Sequence, residues 1–168
     1  MPPADPPPNA TVRRYLEGGM LELRASDDDE VSAFWRKALV AWGDARLAGS
    51  SLDNRLVRAY DAGRIAAFAM VRSAGYRTRG GEGHHYVTFD VARSLAEDQD
   101  LRHALDEMSG VRAIRHAVEY EPEDDVDLEA VAAATAVAAP IINGGAQHLR
   151  ARHPAVSARF KKVQPPAR

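Results

Sequence analysis

Residues 52–74 read LDNRLVRAYDAGRIAAFAMVRSA, and the spacing of this stretch decides the fold. Leu52, Leu56, Ala59, Tyr60, Gly63, Ala67, Met70, Val71 and Ala74 recur every three or four residues. That is the period of an α-helix with one apolar face. Gly49-Ser50-Ser51 supplies a stop and a cap before it, and Gly75 closes it. The small residues Ala59, Ala62, Gly63, Ala66 and Ala67 would let a neighbouring helix approach closely.

The segments on either side follow the same period. Upstream, Ser26 offers a cap hydroxyl to a first turn of carboxylates, Asp27 to Glu30, where the helix dipole favours negative charge. Val31, Phe34, Trp35, Ala38, Leu39 and Trp42 then keep helical spacing, which predicts a helix over 27–48, with Phe34, Trp35 and Trp42 in the core. A short helix over 11–19 is expected before it, capped by Thr11 and stopped by Gly18-Gly19. Downstream, Gly80-Gly81-Glu82-Gly83 reads as an open loop, 84–96 as a third bundle helix and 98–120 as a fourth, with a candidate kink at Ser109-Gly110. Pro122 prevents continuation, and residues 121–129 hold six acidic side chains in nine. A fifth helix over 126–152 should bend or split at Pro140 and Gly144-Gly145. No sustained alternation predicts a strand. The expectation is an all-α, up-and-down bundle of about five helices in one domain over 11–152. A proline-rich disordered tail is expected over 1–10 and a loose basic tail over 153–168.

Composition narrows the function classes. The chain has 168 residues, 45% of them hydrophobic and 27% charged, with a formal net charge of −2. So balanced a charge gives no global reason to bind nucleic acid, and an anionic partner would need a local basic patch. There is no cysteine, so disulfides, thiolate metal sites and cysteine nucleophiles are excluded. The apolar run Ala130 to Ile142 is shorter than the ~20 residues of a membrane span. No signal-peptide pattern opens the chain. A cytoplasmic, bacterial protein with no membrane association is the expectation. His103, His148 and His153 lack paired ligand spacing, and adjacent His84 and His85 cannot both reach one ion from a regular helix, so no metal and no cofactor are expected.

The helix over 98–120 carries the chemistry that stands out. At ~100° per residue, Leu101, Ala104, Leu105, Met108, Val111 and Val118 form one broad stripe, with Arg115 near its middle and Arg112 near its edge. A guanidinium there must snorkel, pair with a carboxylate or face a groove, and a groove-facing arginine binds phosphate well. His116 and Tyr120, four apart, share an adjacent face. In the glycine-rich loop, Arg79 and His84 also stand in an Arg-x4-His spacing. His84 or His85 can equally cap the third helix or hydrogen-bond across the bundle.

The ordered set Tyr60-Asp61-Ala62, Ala74-Gly75-Tyr76-Arg77, Gly83-His84-His85 and Arg112 to Tyr120, followed by an acidic linker and an Ala-rich helix, resembles the HEPN family over roughly 27–150. The resemblance implies a helical bundle that often dimerises, with members that are metal-independent ribonucleases of toxin–antitoxin or defence systems and others that only bind. It implies Arg115, His116 and Tyr120 as the catalytic positions. Arg112, Arg77, Arg79, His84 and His85 would be substrate contacts. It further implies a homodimer, RNA or a nucleotide as ligand, and a nucleotidyltransferase-like antitoxin as a candidate partner. Arg115 matches the family arginine, which holds the scissile phosphate, and His116 matches the polar position after it. Tyr120 stands where the family histidine would come, and a phenol of pKa ~10 is a poor base at neutral pH. The expectation is therefore a catalytically degenerate module binding a nucleotide, an RNA or a protein partner. The alternative is a metal-independent endoribonuclease toxin.

Overall fold

The computed structural model describes residues 7–81, 83–120 and 126–167; for Ser109 and residues 112–120 it describes the backbone alone. The elements run α1 (Ala10–Glu17), β1 (Leu21–Leu23), α2 (Asp28–Ala45), α3 (Leu52–Ser73), β2 (Tyr76–Thr78), α4 (His84–Leu95), α5 (Gln99–Tyr120) and α6 (Leu128–Arg152), then a short 3-10 helix, Pro154–Arg159. Among the described residues the bundle is all-α apart from β1 and β2, which pair antiparallel with Leu21 opposite Thr78 and Leu23 opposite Tyr76. Three-residue strands are too short to show an alternating pattern, which is why the sequence predicts none.

Helix α3 is the axis of the bundle and packs against α2, α4, α5 and α6. Its buried residues include Leu56, Tyr60, Gly63, Ala67 and Met70, most of the stripe that defines it in sequence. The small residues do allow close approach. A Cβ on Gly63 would lie 2.5 Å from the Met108 methyl of α5, and one on Gly145 would lie 3.2 Å from the Trp35 ring. Trp35 and Trp42 are core residues, and Phe34 stacks edge-on against Phe68 with centroids 4.9 Å apart.

Helix directions depart from strict up-and-down alternation. Helices α2 and α5 run against α3, but α4 and α6 run with it. Tyr60 meets His85 while Ala74 and Leu95 line one cavity, and Gly63 faces Ile141 while Ser73 meets His153. The cause is β2 and the glycine loop, which carry the chain back along α3 before α4 begins. Gly75 (φ 82°) turns the chain into β2 and Gly83 (φ 80°) turns it into α4, a left-handed conformation that only glycine adopts at little cost.

The caps differ from those read in sequence. Asn9, not Thr11, caps α1, its Oδ1 accepting from Val12 N at 2.9 Å. Asp27, not Ser26, caps α2, accepting from Glu30 N at 2.7 Å, while the Ser26 hydroxyl donates to the Arg72 carbonyl at 2.6 Å. Helix α6 passes through Pro140 and Gly144-Gly145 without splitting. Among the described residues it is the one helix long and apolar enough to cross a membrane. Its Val131, Ala134, Ala138, Ile141, Ile142 and Leu149 are core residues, however, so burial accounts for its composition.

Residues 1–6 of the expected proline-rich tail lie outside the described residues, and both described ends make contacts with the bundle. The Asn9 side-chain amide donates to the Ser94 carbonyl at 3.1 Å. After α6 the chain folds back over the bundle, with Phe160 fully buried 6.1 Å from the Trp35 ring. Asn143 exchanges two hydrogen bonds with the Val163 backbone, at 2.8 and 2.9 Å, and the Trp35 indole donates to the Lys161 carbonyl at 3.1 Å. The basic composition of 153–168 suggests solvation. One phenylalanine and a backbone paired by an asparagine are enough to dock most of this segment instead.

Candidate functional site

The histidine pair sits where α4 starts beside α3. The Tyr60 side chain is fully buried, and its hydroxyl meets His85 Nδ1 at 3.2 Å. The Tyr60 ring also lies 5.9 Å from both His85 and Phe89. His84 stacks edge-on against His85 at 4.1 Å, and its Nδ1 bonds the Gly81 carbonyl at 2.6 Å, so the proton on that nitrogen is the donated one. His84 thus fastens the loop just before α4 rather than capping the helix, and His85 makes the cross-bundle bond. Beside Tyr60 on α3, Asp61 lies between Arg58 and Arg64, with contacts of 3.6 and 3.4 Å. Arg58 also grips Asp44 of α2 through Nε and Nη2, at 3.0 and 2.6 Å. Arg64 Nε is buried and makes no hydrogen bond.

The remaining sequence-derived residues fall in two groups. Arg77 is an exposed residue of β2, and Arg79 is exposed beyond it, pairing with Glu22 at 3.3 Å. The side chains of Arg112, Arg115, His116 and Tyr120 lie outside the described residues; their backbone is the C-terminal half of α5. That half continues from Met108, which packs on Gly63 one turn from Tyr60. Among the described residues no three His, Asp or Glu side chains gather to hold a metal ion.

Two polar clusters escaped sequence reading. In the first, Asp90 of α4 accepts from Arg14 at 2.9 Å and from the Tyr15 hydroxyl at 2.8 Å. Burial, and then the Asp90 carboxylate, push the Tyr15 phenol up to about 12, so it stays protonated and donates at any physiological pH. In the second, the Ser73 hydroxyl meets His153 Nε2 at 2.6 Å, and His153 Nδ1 meets Asp28 Oδ1 at 2.5 Å. The order hydroxyl–imidazole–carboxylate is that of a nucleophilic triad. The setting is wrong for acyl transfer. Ser73 ends α3, where the last carbonyls gather partial negative charge, and an oxyanion needs N–H donors there. The same three residues tie the start of α2, the end of α3 and the chain after α6 to one point, which is a clamp. Asp28, Ser73 and His153 are so far apart in sequence that no local spacing reveals them.

No protein-family description matches the chain, no characterised protein is similar to it in sequence, and no solved structure matches it in fold.

Proposed function

We propose that this chain is a HEPN-like module that binds RNA or a nucleotide and does not cleave it. The observation that carries the reading is the contact between the Tyr60 hydroxyl and His85. It joins two pieces of the motif set, Tyr60-Asp61-Ala62 and Gly83-His84-His85, that stand apart in sequence. Helix α5, which carries the third piece, packs on α3 within a turn of the same place through Met108 and Gly63. Arginine suits the ligand side of such a site, because its fork donates two parallel hydrogen bonds to a phosphate. The lack of catalysis rests on Tyr120, which occupies the position of the family's proton-transferring histidine.

Fluorescence anisotropy with a labelled single-stranded RNA, in EDTA, tests this reading beside an Arg115→Ala variant. The wild type should bind and leave the RNA intact, and Arg115→Ala should bind roughly 10- to 100-fold more weakly, the effect of losing one charge-assisted contact. Cleavage in EDTA that disappears in Arg115→Ala would establish the ribonuclease alternative instead. Neither binding nor cleavage would refute both. If two copies build the site, sedimentation should give twice the 18.3 kDa of one chain.

A further inference from the structure

At the end of α3 where Ser73 lies, the N-terminus of α1, the turn from α4 to α5 and the last turns of α6 enclose a cavity of about 530 Å3. That is within the range of small-molecule sites. Leu95 and Ala151 supply apolar wall, with Val12 and Leu101 buried behind it, and Arg102, His148 and Arg152 supply polar groups.

Two features of this lining bear on a ligand. Arg102 and Arg152, both lining the cavity, contact no carboxylate among the described residues, although Glu97 and Asp98 line it too. Arg102 Nε is committed to the Ala96 carbonyl at 2.6 Å, which fixes the side chain and leaves its Nη groups to donate. The second feature is His148. Its Nε2 is buried and makes no hydrogen bond. A bare acceptor is cheaper to bury than an unpaired N–H, which places the ring hydrogen on Nδ1.

We propose that this cavity binds a small organic carboxylate with an apolar body, its head group on Arg152 and Arg102 and its body against Leu95 and Ala151. Unused donors define an acceptor ligand. The Glu97 and Asp98 carboxylates in the same lining disfavour a polyanion, so a single negative charge fits. The site lies at the other end of α3 from α5's C-terminal half and does not depend on the RNA-binding reading.

The test is amide chemical-shift mapping of the full chain titrated with octanoate and with 1-octanol. Octanoate should shift amides around Arg102, His148 and Ala151, saturably, and bind at least about 10-fold more tightly than octanol. Arg152→Gln, whose side chain holds no other element, should keep the folded spectrum and lose about 10-fold in octanoate affinity. Absent or scattered shifts, equal binding of octanol, or wild-type affinity in Arg152→Gln would each overturn the proposal.

Discussion

Arg72 of α3 is buried to 1% exposure and grips Glu30 of α2 through Nε and Nη2, at 3.0 to 3.1 Å. Its other donors reach the carbonyls of Arg24 at 2.7 Å, Ala25 at 2.9 Å and Tyr76 at 2.9 Å. Each guanidinium nitrogen has a partner, so the charge is buried without an orphan donor. This one side chain ties α2, α3, β2 and the segment after β1 together.

The two partners should not be equivalent. Arg72→Met strands three carbonyls and a carboxylate and should cost about 3–5 kcal/mol. Glu30 is 37% exposed at its side chain, and Glu30→Gln keeps an acceptor, so it should cost only about 1 kcal/mol. Urea unfolding followed by circular dichroism measures both. Equal losses would mean that the carbonyl contacts contribute nothing.

Arg72 also marks how far the sequence can be read. The helices were legible because their apolar residues keep one period over many turns: α4 and α5 match their predicted spans to about a residue. Arg72 was not legible, because an arginine at the end of a helix is ordinarily solvated and its acceptors lie on other segments. The same holds for the docking of Phe160 and for the Ser73–His153–Asp28 clamp. The parallel run of α3 and α4 depends on two three-residue strands and two left-handed glycines, which leave almost no periodic trace. Of the candidate site, the cross-bundle role of a histidine in Gly83-His84-His85 could be read. Its partner, Tyr60, could be named only as a motif residue.

Glycine substitutions separate packing from propensity. Gly43 is exposed within α2 with nothing near a Cβ, so Gly43→Ala should stabilise the protein by about 0.5–1 kcal/mol. At Gly63 the clash is with the free methyl of Met108, which can swing away, and Gly63→Ala should stay within about 1 kcal/mol of wild type. At Gly144 a Cβ would lie 2.9 Å from Leu101 Cβ, which cannot move without its helix, so Gly144→Ala should cost about 1–3 kcal/mol. Midpoints in urea give the order, and a stabilised Gly144→Ala would refute the close approach of α5 and α6.

The docked C-terminal segment predicts a large effect from a residue that looks like part of a tail. Phe160 is fully buried against Trp35 and His153. Phe160→Ala should therefore cost about 3–5 kcal/mol. Hydrogen exchange should show the Val163 amide, which donates to Asn143, losing protection in the same variant. A loss below about 1 kcal/mol would mean that the segment is not part of the core.

His148 should make stability fall in mild acid. Its pKa is lowered from the ordinary 6.5 to about 4, first by burial and then by the Arg152 charge, with Glu97 opposing. The folded protein thus holds a neutral imidazole between pH 4 and 6.5, whereas the unfolded chain takes up a proton there. Because the unfolded state binds more protons in that window, stability rises with pH across it and is highest, for this group, above pH 6.5. Below pH 4 both states are protonated and the loss is complete. At about 1.4 kcal/mol per pH unit, the loss between neutral pH and pH 4 is on the order of 3 kcal/mol. Carboxylates titrate over the same range, so the quantity to measure is the stability difference between wild type and His148→Leu, by urea unfolding from pH 7.5 to 3.5. That difference should shift against the wild type as pH falls through 6.5 and level off near 4. Arg152→Gln removes the second cause and should reduce the shift without abolishing it, since burial remains. A difference that stays flat across the range would show that His148 is solvated in the folded protein.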